Sequence, residues 1–559
     1  MLSEAAAAAA PEIGLDPTAL PEPELSRPRA REHGDWAANL ALVLAPKVGR
    51  APREVAGAIA ARIPTDGVID RAEVAGPGFI NLFLRPTWLH DTVREIVDDA
   101  DRFGRAERNG RPVLVEFVSA NPVGPLHVGT ARNAAIGDSL ANVLDAAGYD
   151  VRREYYFNDA GRQIELFGQS LEARYMRIFG IEADIPEGGY QGEYVAHLAA
   201  ELAEEHGRAL LDLAPEERRA RMTEEAVART MAGIRRTLER FHVRMDTWFS
   251  ERTLHETGAV QAAVERLRRE GFAYEQDGAV FFRSTLFGDE KDRVLVRSNG
   301  IPTYVGVDCA YLLNKAERGF ERLLYVLGAD HHGWMTRMQG VAKALRIEAS
   351  FEVVLYQLVS LLRGGEPVRM SKRAGEAITL DELIDEVGAD AARFTLLSRS
   401  ADSTIDFDIE VVTRQSMDNP VFYVQYAHAR IASLLRVAVE QGVELQPIGD
   451  VDLSLLATES ELDLMRTLSE LPEVIATAAE SLAPHRVTRY AEEAAAAFHR
   501  FYTECRVVTD DAPLTQARLT LSRATRHVVG AALGLIGVTA PESMARLADG
   551  EEAAGADGR

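Results

Sequence analysis

The stretch VEFVSANPVGPLHVGTAR at residues 115–132 decides the fold. It opens inside the near-continuous apolar run RPVLVEFV, a pattern typical of a buried parallel strand. A loop rich in proline and glycine follows, and apolar residues at helical spacing then mark a helix that Gly148 closes. With the next strand, VRREYYFN, this segment predicts a βαβ unit whose loop lies over the N-terminus of the first helix.

This loop has the composition of a phosphate-binding site. His127 and Gly129 stand where the helix is expected to begin, and a helix N-terminus offers free N–H groups and a positive dipole end to a triphosphate. An imidazole there can hydrogen-bond the phosphates and stabilise charge that develops at the α-phosphate. The loop is neither GxGxxG nor a Walker P-loop. The alternative is a plain strand-to-helix turn with a surface histidine.

A second candidate phosphate element is RMSKRAG at residues 369–375. Small residues and a glycine surround Lys372, and a lysine on a mobile loop can reach a pyrophosphate leaving group and then release it. An exposed basic loop is the alternative for any single lysine. The two elements together, in this order and about 240 residues apart, indicate ATP chemistry far more specifically than either does alone.

Composition places broad limits on the protein. The 559 residues are 47% hydrophobic and 26% charged, which is typical of a globular protein of several domains. The two cysteines lie in different regions and support neither a disulfide framework nor a zinc site. A net charge of −24 argues against an indiscriminate nucleic-acid binder. We expect a cytoplasmic protein with no membrane association.

The chain divides by pattern into three domains and a tail. Residues 1–105 predict a small α+β domain that opens with a disordered Ala/Pro segment, in which Trp36 and Leu40 share one helix. Residues 106–400 predict an α/β domain with a helical insertion at about 165–245. Residues 401–545 are helical throughout and predict an all-α bundle, and the low-complexity tail at 546–559 is expected to be disordered.

These motifs resemble those of class I aminoacyl-tRNA synthetases. HVGT is similar to their HIGH signature, and RMSKR is similar to KMSKS. More narrowly, the segments AGPGFIN, VEFVSANP, YVGVD, GADHHG, RMSKRAG and NPVFYVQYAHARI resemble those of arginyl-tRNA synthetases in the same order. The resemblance implies a Rossmann-like catalytic domain, ATP carried with Mg²⁺ as substrate, L-arginine and tRNA(Arg) as partners, no metal held by the protein, and a monomer.

The resemblance also assigns an arginine site. It implies that Ser119 and Asn121 orient the α-amino and carboxylate groups, and that Glu116, Tyr304 and Asp308 recognise the guanidinium. A planar guanidinium has five N–H donors and calls for carboxylates in bidentate geometry. Glu116 stands in an apolar strand, where a buried acid needs a partner. Tyr304 as a core aromatic and Asp308 as a helix-start residue remain alternatives.

The ATP site combines three segments in this family. The implied catalytic residues are His127, Gly129, Thr130 and Lys372. The implied ATP-binding residues add Asp330, His331, His332, Met370 and Ser371 to these. Because GADHHG ends a predicted strand, it lies where α/β folds bind ligands. A metal held by Asp330, His331 and His332 is the alternative, but no further clustered histidine or aspartate completes such a site.

Contacts to tRNA are implied outside the catalytic domain. Tyr423, Tyr426 and Arg430 lie at helical spacing in the region that resembles the family's anticodon-binding bundle, and such planar groups can stack on unpaired bases. Phe79 and Asn81 project from one face of a strand in the region that resembles the module for the tRNA D-loop. Ordinary core packing is the alternative for the aromatic rings.

The signature motifs depart from the family at two positions. Thr130 replaces the second histidine of HIGH and cannot carry a positive charge, and Arg369 replaces the first lysine of KMSKS. The alternative function is therefore a synthetase paralogue with reduced or altered activity. A DHH-type phosphoesterase and a small nucleotidyltransferase with an HxGH-type loop fit the chain less well, because neither accounts for all the motifs.

Overall fold

The computed structural model describes residues 1–28, 30–368 and 378–544, with the side chains of Ala19, Arg31 and His332 left out. Contacts divide the chain into two compact units. The first contains Met1–Ala100, Glu444–Ser469 and Phe501–Ala524. The second contains Asp101–Val443, Glu470–Arg500 and the chain from Thr525 onward.

The first hundred residues build a small α+β fold, as predicted. Its strands form an antiparallel sheet in the order β1-β2-β4-β3. In chain order the elements are α1 (Leu2–Ile13), β1 (Leu25–Ser26), β2 (Trp36–Ala38), α2 (Leu40–Val48), α3 (Pro52–Ala60), β3 (Ile69–Ala75), β4 (Phe79–Leu84) and α4 (Thr87–Asp98).

Two local predictions in this region were wrong. The expected disordered start is helix α1, whose small residues Ala5, Ala6 and Ala9 are buried in a core shared with α3. Alanine has the highest helix propensity and allows close helix packing, so an Ala-rich run is not evidence of disorder here. Trp36 lies in β2 rather than on a helix with Leu40, because α2 begins only at Leu40.

The second unit contains a five-stranded parallel sheet in the order β12-β11-β5-β6-β7. Counted along the chain this is 5-4-1-2-3, the order of a doubly wound Rossmann-like sheet. The elements from β5 to α10 are β5 (Pro112–Glu116), α5 (Ala131–Ala146), β6 (Asp150–Phe157), α6 (Arg162–Ile178), α7 (Glu193–His206), α8 (Pro215–Arg240), β7 (Thr247–Ser250), α9 (Glu251–Glu256) and α10 (Ala259–Arg269).

The remaining elements before the bundle are β8 (Ala273–Gln276), β9 (Ala279–Phe282), β10 (Arg293–Val296), α11 (Tyr304–Glu317), β11 (Arg322–Gly328), α12 (His332–Ala344), β12 (Ser350–Tyr356), β13 (Val359–Arg363), β14 (Glu366–Pro367), α13 (Leu380–Val387), α14 (Ala389–Leu396), β15 (Ile405–Asp408) and α15 (Ile409–Val412). Strands β8, β9 and β10 form a separate antiparallel sheet.

The predicted helical insertion is present as α6, α7 and α8, which pack on one another around Phe167, Leu171 and Tyr175. The chain enters these helices from the carboxyl end of β6 and returns to the parallel sheet at β7. The insertion therefore begins beside the edge of the sheet where ligands bind in this class of fold.

The C-terminal region is all α-helical, as predicted, with α16 (Pro420–Glu440), α17 (Glu459–Leu468), α18 (Leu471–Glu480), α19 (His485–Glu504) and α20 (Ala512–Leu535). The expectation of helix throughout from residue 401 was wrong at β15, which pairs in parallel with β13. Its Ile405 and Phe407 alternate with Asp406, a period-two pattern too short to stand out beside the long helices. The predicted tail lies outside the described residues.

Candidate active site

The middle of the parallel sheet is its topological switch point. Strand β5 lies between β6 and β11, and the chain first winds toward β6 and later returns on the opposite side at β11. Ligands bind outside the carboxyl ends of the strands at such a reversal. Glu116 ends β5 and Gly328 ends β11. The segments that carry the HVGT and GADHHG motifs therefore leave the sheet at the same end.

A strained turn follows β5. Val118 and Ser119 have φ of 68° and 45°, in the left-handed region that a β-branched residue rarely adopts. Hydrogen bonds hold this turn in place: the Val118 N–H donates to Asn133 Oδ1 at 2.6 Å, and the Tyr155 hydroxyl donates to the Ala120 carbonyl at 2.8 Å. The turn fixes where the segment from Ser119 to Asn121 passes over the sheet.

His127 stands immediately before the helix, as the sequence predicts. It caps a single 3₁₀ turn, Val128–Thr130, that continues directly into α5. Its Nδ1 accepts the Gly129 N–H at 3.0 Å, so the proton of the neutral ring is on Nε2. Partial desolvation lowers the pKa of His127, which favours this neutral form. The ring can therefore donate one hydrogen bond, from Nε2, to an oxygen.

Gly129 and Thr130, the last two residues of HVGT, hold the turn around the histidine ring. A Cβ at Gly129 would lie 2.7 Å from the Cε1 atom of His127, so only glycine allows the ring to fold back on the turn. The Thr130 hydroxyl donates to the His127 carbonyl at 2.7 Å. Thr130 thus strengthens the turn, and its side chain carries no charge.

For the second motif, RMSKRAG, the structure describes only the residues on either side. Residues 369–377 lie outside the described residues, and with them the predictions for Met370, Ser371 and Lys372. Immediately after this gap, the Ile378 carbonyl accepts the Val128 N–H and the Leu380 N–H donates to the Leu126 carbonyl, each at 2.8 Å. The chain that follows RMSKRAG is therefore hydrogen-bonded to both sides of His127.

The predicted arginine-binding residues occupy the same end of the sheet. Glu116 is buried, and its Oε1 accepts the Ser119 hydroxyl at 3.0 Å. Its Oε2 is paired with the ammonium of Lys315. Asn121 donates to Gln163 Oε1 at 2.5 Å. The pairing of Glu116 answers the requirement, read from the sequence, that an acid in an apolar strand have a partner.

Helix α11 carries the other two predicted arginine-binding residues, Tyr304 and Asp308. Tyr304 is its first residue and is 69% exposed, so it is not a core aromatic. Asp308 lies one turn later, and its Oδ2 accepts the Trp334 indole N–H at 3.0 Å. Thr303, not Asp308, caps the helix. Both alternatives raised by the sequence are therefore excluded by the position of these residues.

The electrostatics of this region come from three neighbouring carboxyl groups. Burial raises the pKa of Asp308 to about 7, and the charges of Glu116 and Glu251 add to the rise. Glu251 is buried, its own pKa is raised by burial, and it accepts the Tyr156 hydroxyl. A cation entering here would lower these pKa values, because it favours the ionised form of each acid.

Three residues at this place, Glu251, Tyr156 and Trp334, were not predicted from the sequence. Glu251 directly follows β7, so a rule that inspects the carboxyl end of every parallel strand would have selected it. Trp334 directly follows the GADHHG segment that the sequence had already singled out. Tyr156 carried no signal beyond being an aromatic residue in a strand.

An open cavity of about 1220 Å³ joins several of these residues. Its lining includes four of the predicted residues, Asn121, His127, Thr130 and Tyr304. The insertion supplies another wall, with Tyr194 and His197 from α7. The cavity lies between the loop that carries HVGT and the helical insertion. It is large enough for an organic ligand of several rings.

The predicted ATP residues on the β11 side lie at the surface. Asp330 and His331 are exposed, and His331 Nε2 lies 3.8 Å from Asp330 Oδ1. The side chain of His332, the first residue of α12, is not described. A Cβ at Gly328 would lie 2.7 Å from Asp330 Oδ1, so this glycine allows the aspartate to fold against the strand end.

The predicted anticodon residues all lie on α16. Tyr423 is partly buried beside His499, with ring centroids 4.6 Å apart, and Arg430 is partly buried with its guanidinium 5.6 Å from the Tyr426 ring. Tyr426 is buried and stacks on Phe422. The structure thus places Tyr426 in the core, the alternative that the sequence left open, and its role in stacking a base stays a prediction.

The predicted D-loop residues share one face of β4. Phe79 is partly buried, and Asn81 is only 4% exposed. Next on the same face, Phe83 lies under the Arg71 guanidinium at 3.6 Å. Asn81 can read a base only if its surroundings rearrange, and its role also stays a prediction.

A group with metal-ligand geometry occurs in the insertion. Glu205, His206 and Glu225 lie close enough to share an ion. However, His206 Nε2 is 2.8 Å from Glu225, and Arg229 pairs with Glu205. Arg221 pairs with Glu225 at 3.3 Å, so each carboxylate of the cluster already has a cationic partner. No helix among the described residues is both long and apolar enough to cross a membrane.

Comparison with known families accounts for the whole architecture. Residues 1–84 match the arginyl-tRNA synthetase N-terminal domain, residues 92–425 the class I tRNA synthetase (R) catalytic domain, and residues 424–544 the DALR anticodon-binding domain.

Individual relatives agree with these matches. The arginine–tRNA ligase of Moorella thermoacetica is 50% identical over 97% of both chains, and that of Desulforamulus reducens is 49% identical over 94% of both. The solved structure of the Thermus thermophilus arginyl-tRNA synthetase shares the fold, with a TM-score of 0.75 at 24% identity over 97% of this chain and 99% of that one. The chain therefore belongs to the arginyl-tRNA synthetases, the class I aminoacyl-tRNA ligases for arginine.

Proposed function

We propose that this chain joins L-arginine to the 3′ end of tRNA(Arg) in two steps, with AMP and pyrophosphate as the other products. The observation that carries this proposal is the meeting, at one switch point, of buried carboxyl groups and a helix N-terminus capped by a neutral histidine. The first suits a guanidinium and the second a triphosphate. The high identity to arginine–tRNA ligases over nearly the full length gives no support to an altered paralogue.

The arginine substrate is bound through both of its ends. Asp308 and Glu116 receive the guanidinium, with Tyr304 covering it from the start of α11. Ser119 and Asn121 orient the α-amino and carboxylate groups, which the strained turn after β5 brings toward the phosphate side. Support for the guanidinium site comes from the raised pKa of Asp308, because a carboxyl group among other acids gains most from an incoming cation.

Activation follows by attack of the arginine carboxylate on the α-phosphate of ATP. The bond from that phosphorus to the β-phosphate oxygen breaks, and pyrophosphate leaves. Mg²⁺ enters as part of the ATP substrate. The Nε2–H of His127 and the N–H groups at the start of α5 stabilise the charge that develops, while Gly129 and Thr130 hold the turn.

Further ATP contacts come from the two other predicted segments. Asp330, His331 and His332 receive the adenosine side at the end of β11. Met370, Ser371 and Lys372 act on the phosphates, and Lys372 stabilises the leaving pyrophosphate. The hydrogen bonds that join Ile378 to Val128 and Leu380 to Leu126 support this part of the proposal, since they hold the chain that follows RMSKRAG beside the HVGT turn.

Transfer to tRNA needs a path for its 3′ end. The cavity beside His127 and Tyr304, with its second wall from the insertion, supports entry of the terminal nucleotide there. The terminal ribose hydroxyl then attacks the arginyl carbonyl carbon, and AMP leaves. Because Tyr304 is exposed at this entrance, it is well placed to sense the arriving nucleotide.

Recognition of the rest of tRNA(Arg) is assigned to the flanking domains. Residues 401–545 bind the anticodon, with Tyr423, Tyr426 and Arg430 as the candidate contacts, and residues 1–105 bind the D-loop through Phe79 and Asn81. Residues 106–400 form the catalytic domain. We further propose that the enzyme acts as a monomer in the cytoplasm.

The direct test is ATP–pyrophosphate exchange measured with each of the twenty amino acids, with and without tRNA(Arg). Arginine should be the only amino acid that drives exchange, and tRNA(Arg) should increase the rate of that exchange. Exchange driven by lysine or glutamate would contradict the arginine site. No exchange with arginine and cognate tRNA together would contradict the proposed activity.

A further inference from the structure

A buried lysine lies directly behind the arginine site. Lys315 is on α11, two turns beyond Asp308, and its side chain is fully buried. Its ammonium is bonded to Glu116 and lies 4.0 Å from the ring centroids of Tyr311 and Tyr325. Burial of an ammonium is costly unless it is paired. The pairing with Glu116 is therefore what allows Lys315 to be buried here.

The contacts of Glu116 show what the lysine does. One carboxylate oxygen is held by Lys315 and the other accepts the Ser119 hydroxyl at 3.0 Å. The Ser119 oxygen is itself fixed, because it accepts the Tyr156 N–H at 3.2 Å. Both oxygens of Glu116 are therefore oriented by the protein before any substrate arrives.

The neighbouring cation is already used elsewhere. Arg318 binds Glu154 through two hydrogen bonds of 2.6 and 2.8 Å, and Glu154 also accepts the Tyr311 hydroxyl at 2.6 Å. Glu154 and Arg318 thus form a balanced pair of their own. This leaves Lys315 as the cation that balances Glu116, while Asp308 is held by the neutral indole of Trp334.

We propose that Lys315 is a positioning residue for arginine recognition. It fixes the orientation of Glu116 and offsets its charge, so that Asp308 supplies the charge that pairs with the guanidinium and Glu116 supplies oriented oxygen atoms. This proposal rests on the assignment of Glu116 and Asp308 to the arginine site. A purely structural role, in which the pair only joins α11 to β5, is the competing explanation.

The test compares four variants in ATP–pyrophosphate exchange with tRNA(Arg) present: K315M, which keeps the length and removes the charge, K315R, E116Q, and the double variant E116Q/K315M. We expect K315M to raise the arginine KM about 30-fold or more, with the ATP KM within about twofold of wild type. K315R should recover part of the loss, because it restores the charge.

The double variant gives the decisive comparison. If Lys315 acts through Glu116, removing it from E116Q should cost little more, so the two effects will not multiply. It also removes both partners of the buried pair, which disturbs folding less than removal of one, so it serves if K315M does not fold. Independent, multiplying effects of the two substitutions would overturn the proposal.

A matched control separates recognition from stability. R322M removes another shielded cation, which pairs with Glu352 at 2.9 Å at the opposite end of β11. It should lower the unfolding temperature and leave the arginine KM unchanged. If K315M behaves as R322M does, the role is only structural. If the wild-type protein shows no arginine-dependent exchange, the proposed function fails instead.

Discussion

The two halves of the proposed active site, the arginine side and the phosphate side, are built differently. The arginine side is buried and rich in side-chain charges, with Glu116, Glu251 and Lys315 all shielded from water. The phosphate side is exposed and uses backbone N–H groups, one neutral imidazole and a turn that Gly129 permits. Fixed, desolvated charges suit selection of one cationic side chain. Backbone groups at a helix N-terminus suit phosphates that must arrive, react and leave.

The contrast predicts that substitutions on the two sides will affect different kinetic constants. The largest effect should come from Asp308→Asn, since the neutral amide cannot form an ion pair with a guanidinium. We expect kcat/KM for arginine to fall about 1000-fold, with the ATP KM nearly unchanged. Steady-state exchange kinetics for both substrates provide the measurement. Glu352→Gln, which neutralises an acid paired with Arg322, is the control. An equal rise in the ATP KM would remove the distinction between the two sides.

The second effect is on the phosphate side. His127→Ala removes a donor that acts on developing charge, so kcat for exchange should fall about 100-fold while the arginine KM stays the same. His206→Ala, which alters a histidine of the insertion paired with Glu225, should leave both constants unchanged. The opposite pattern for His127→Ala, a raised arginine KM at constant kcat, would show that the imidazole belongs to the arginine side.

A change of pH should separate the sides without mutation. In the free enzyme Asp308 has its pKa raised to about 7, so it gains a proton as pH falls below 7 and loses its attraction for a guanidinium. We expect kcat/KM for arginine to fall about tenfold per pH unit below this value. Burial lowers the pKa of His127, which favours its neutral form, so the ATP KM should change less than kcat/KM for arginine as the pH falls. A slope that persists in Asp308→Asn would assign the titration to another group.

The same titration has a consequence for stability. Because the folded pKa of Asp308 is raised, the folded state binds the extra proton and loses stability as pH rises from about 4 through 7. Bound arginine offsets this loss by favouring the ionised acid. Arginine should therefore raise the unfolding temperature more at pH 8 than at pH 6 in a thermal-shift experiment, and an equal increase at both would contradict this.

The smallest effect is expected at Thr130. Its hydroxyl bonds the His127 carbonyl at 2.7 Å, so Thr130→Ala should lower kcat only about three- to tenfold, with both KM values unchanged. Thr130→Ser keeps the hydroxyl and should restore kcat. A loss as large as that of His127→Ala would mean that Thr130 contacts the phosphates directly.

Sequence reasoning reached the parts of the site that are carried by local motifs. The strand that ends at Glu116, the helix that begins after His127 and the helical insertion were all predicted, because each has its own periodicity or turn chemistry. The positions of Tyr304 and Asp308 followed from the resemblance of the YVGVD segment. These features depend on neighbours in the chain.

The contacts that were not predicted from the sequence join residues that are close in space and far apart in the chain. The partner of Glu116 is Lys315, 199 positions away, and no local pattern connects them. Glu251 lies close enough to Asp308 to raise its pKa, although the two residues stand on different helices, α9 and α11. The same limit explains Asn81 and Tyr426, whose burial is set by elements that their own segments do not reveal.

The most direct test of the account is discrimination between arginine and citrulline, which has nearly the same shape but no charge. Exchange with tRNA(Arg) should favour arginine by about 10⁴-fold in kcat/KM, because citrulline has no charge to pair with the Asp308 carboxylate. The same measurement on Asp308→Asn should reduce that ratio sharply. A wild-type ratio below about tenfold would contradict the claim that buried, oriented carboxyl groups select the substrate.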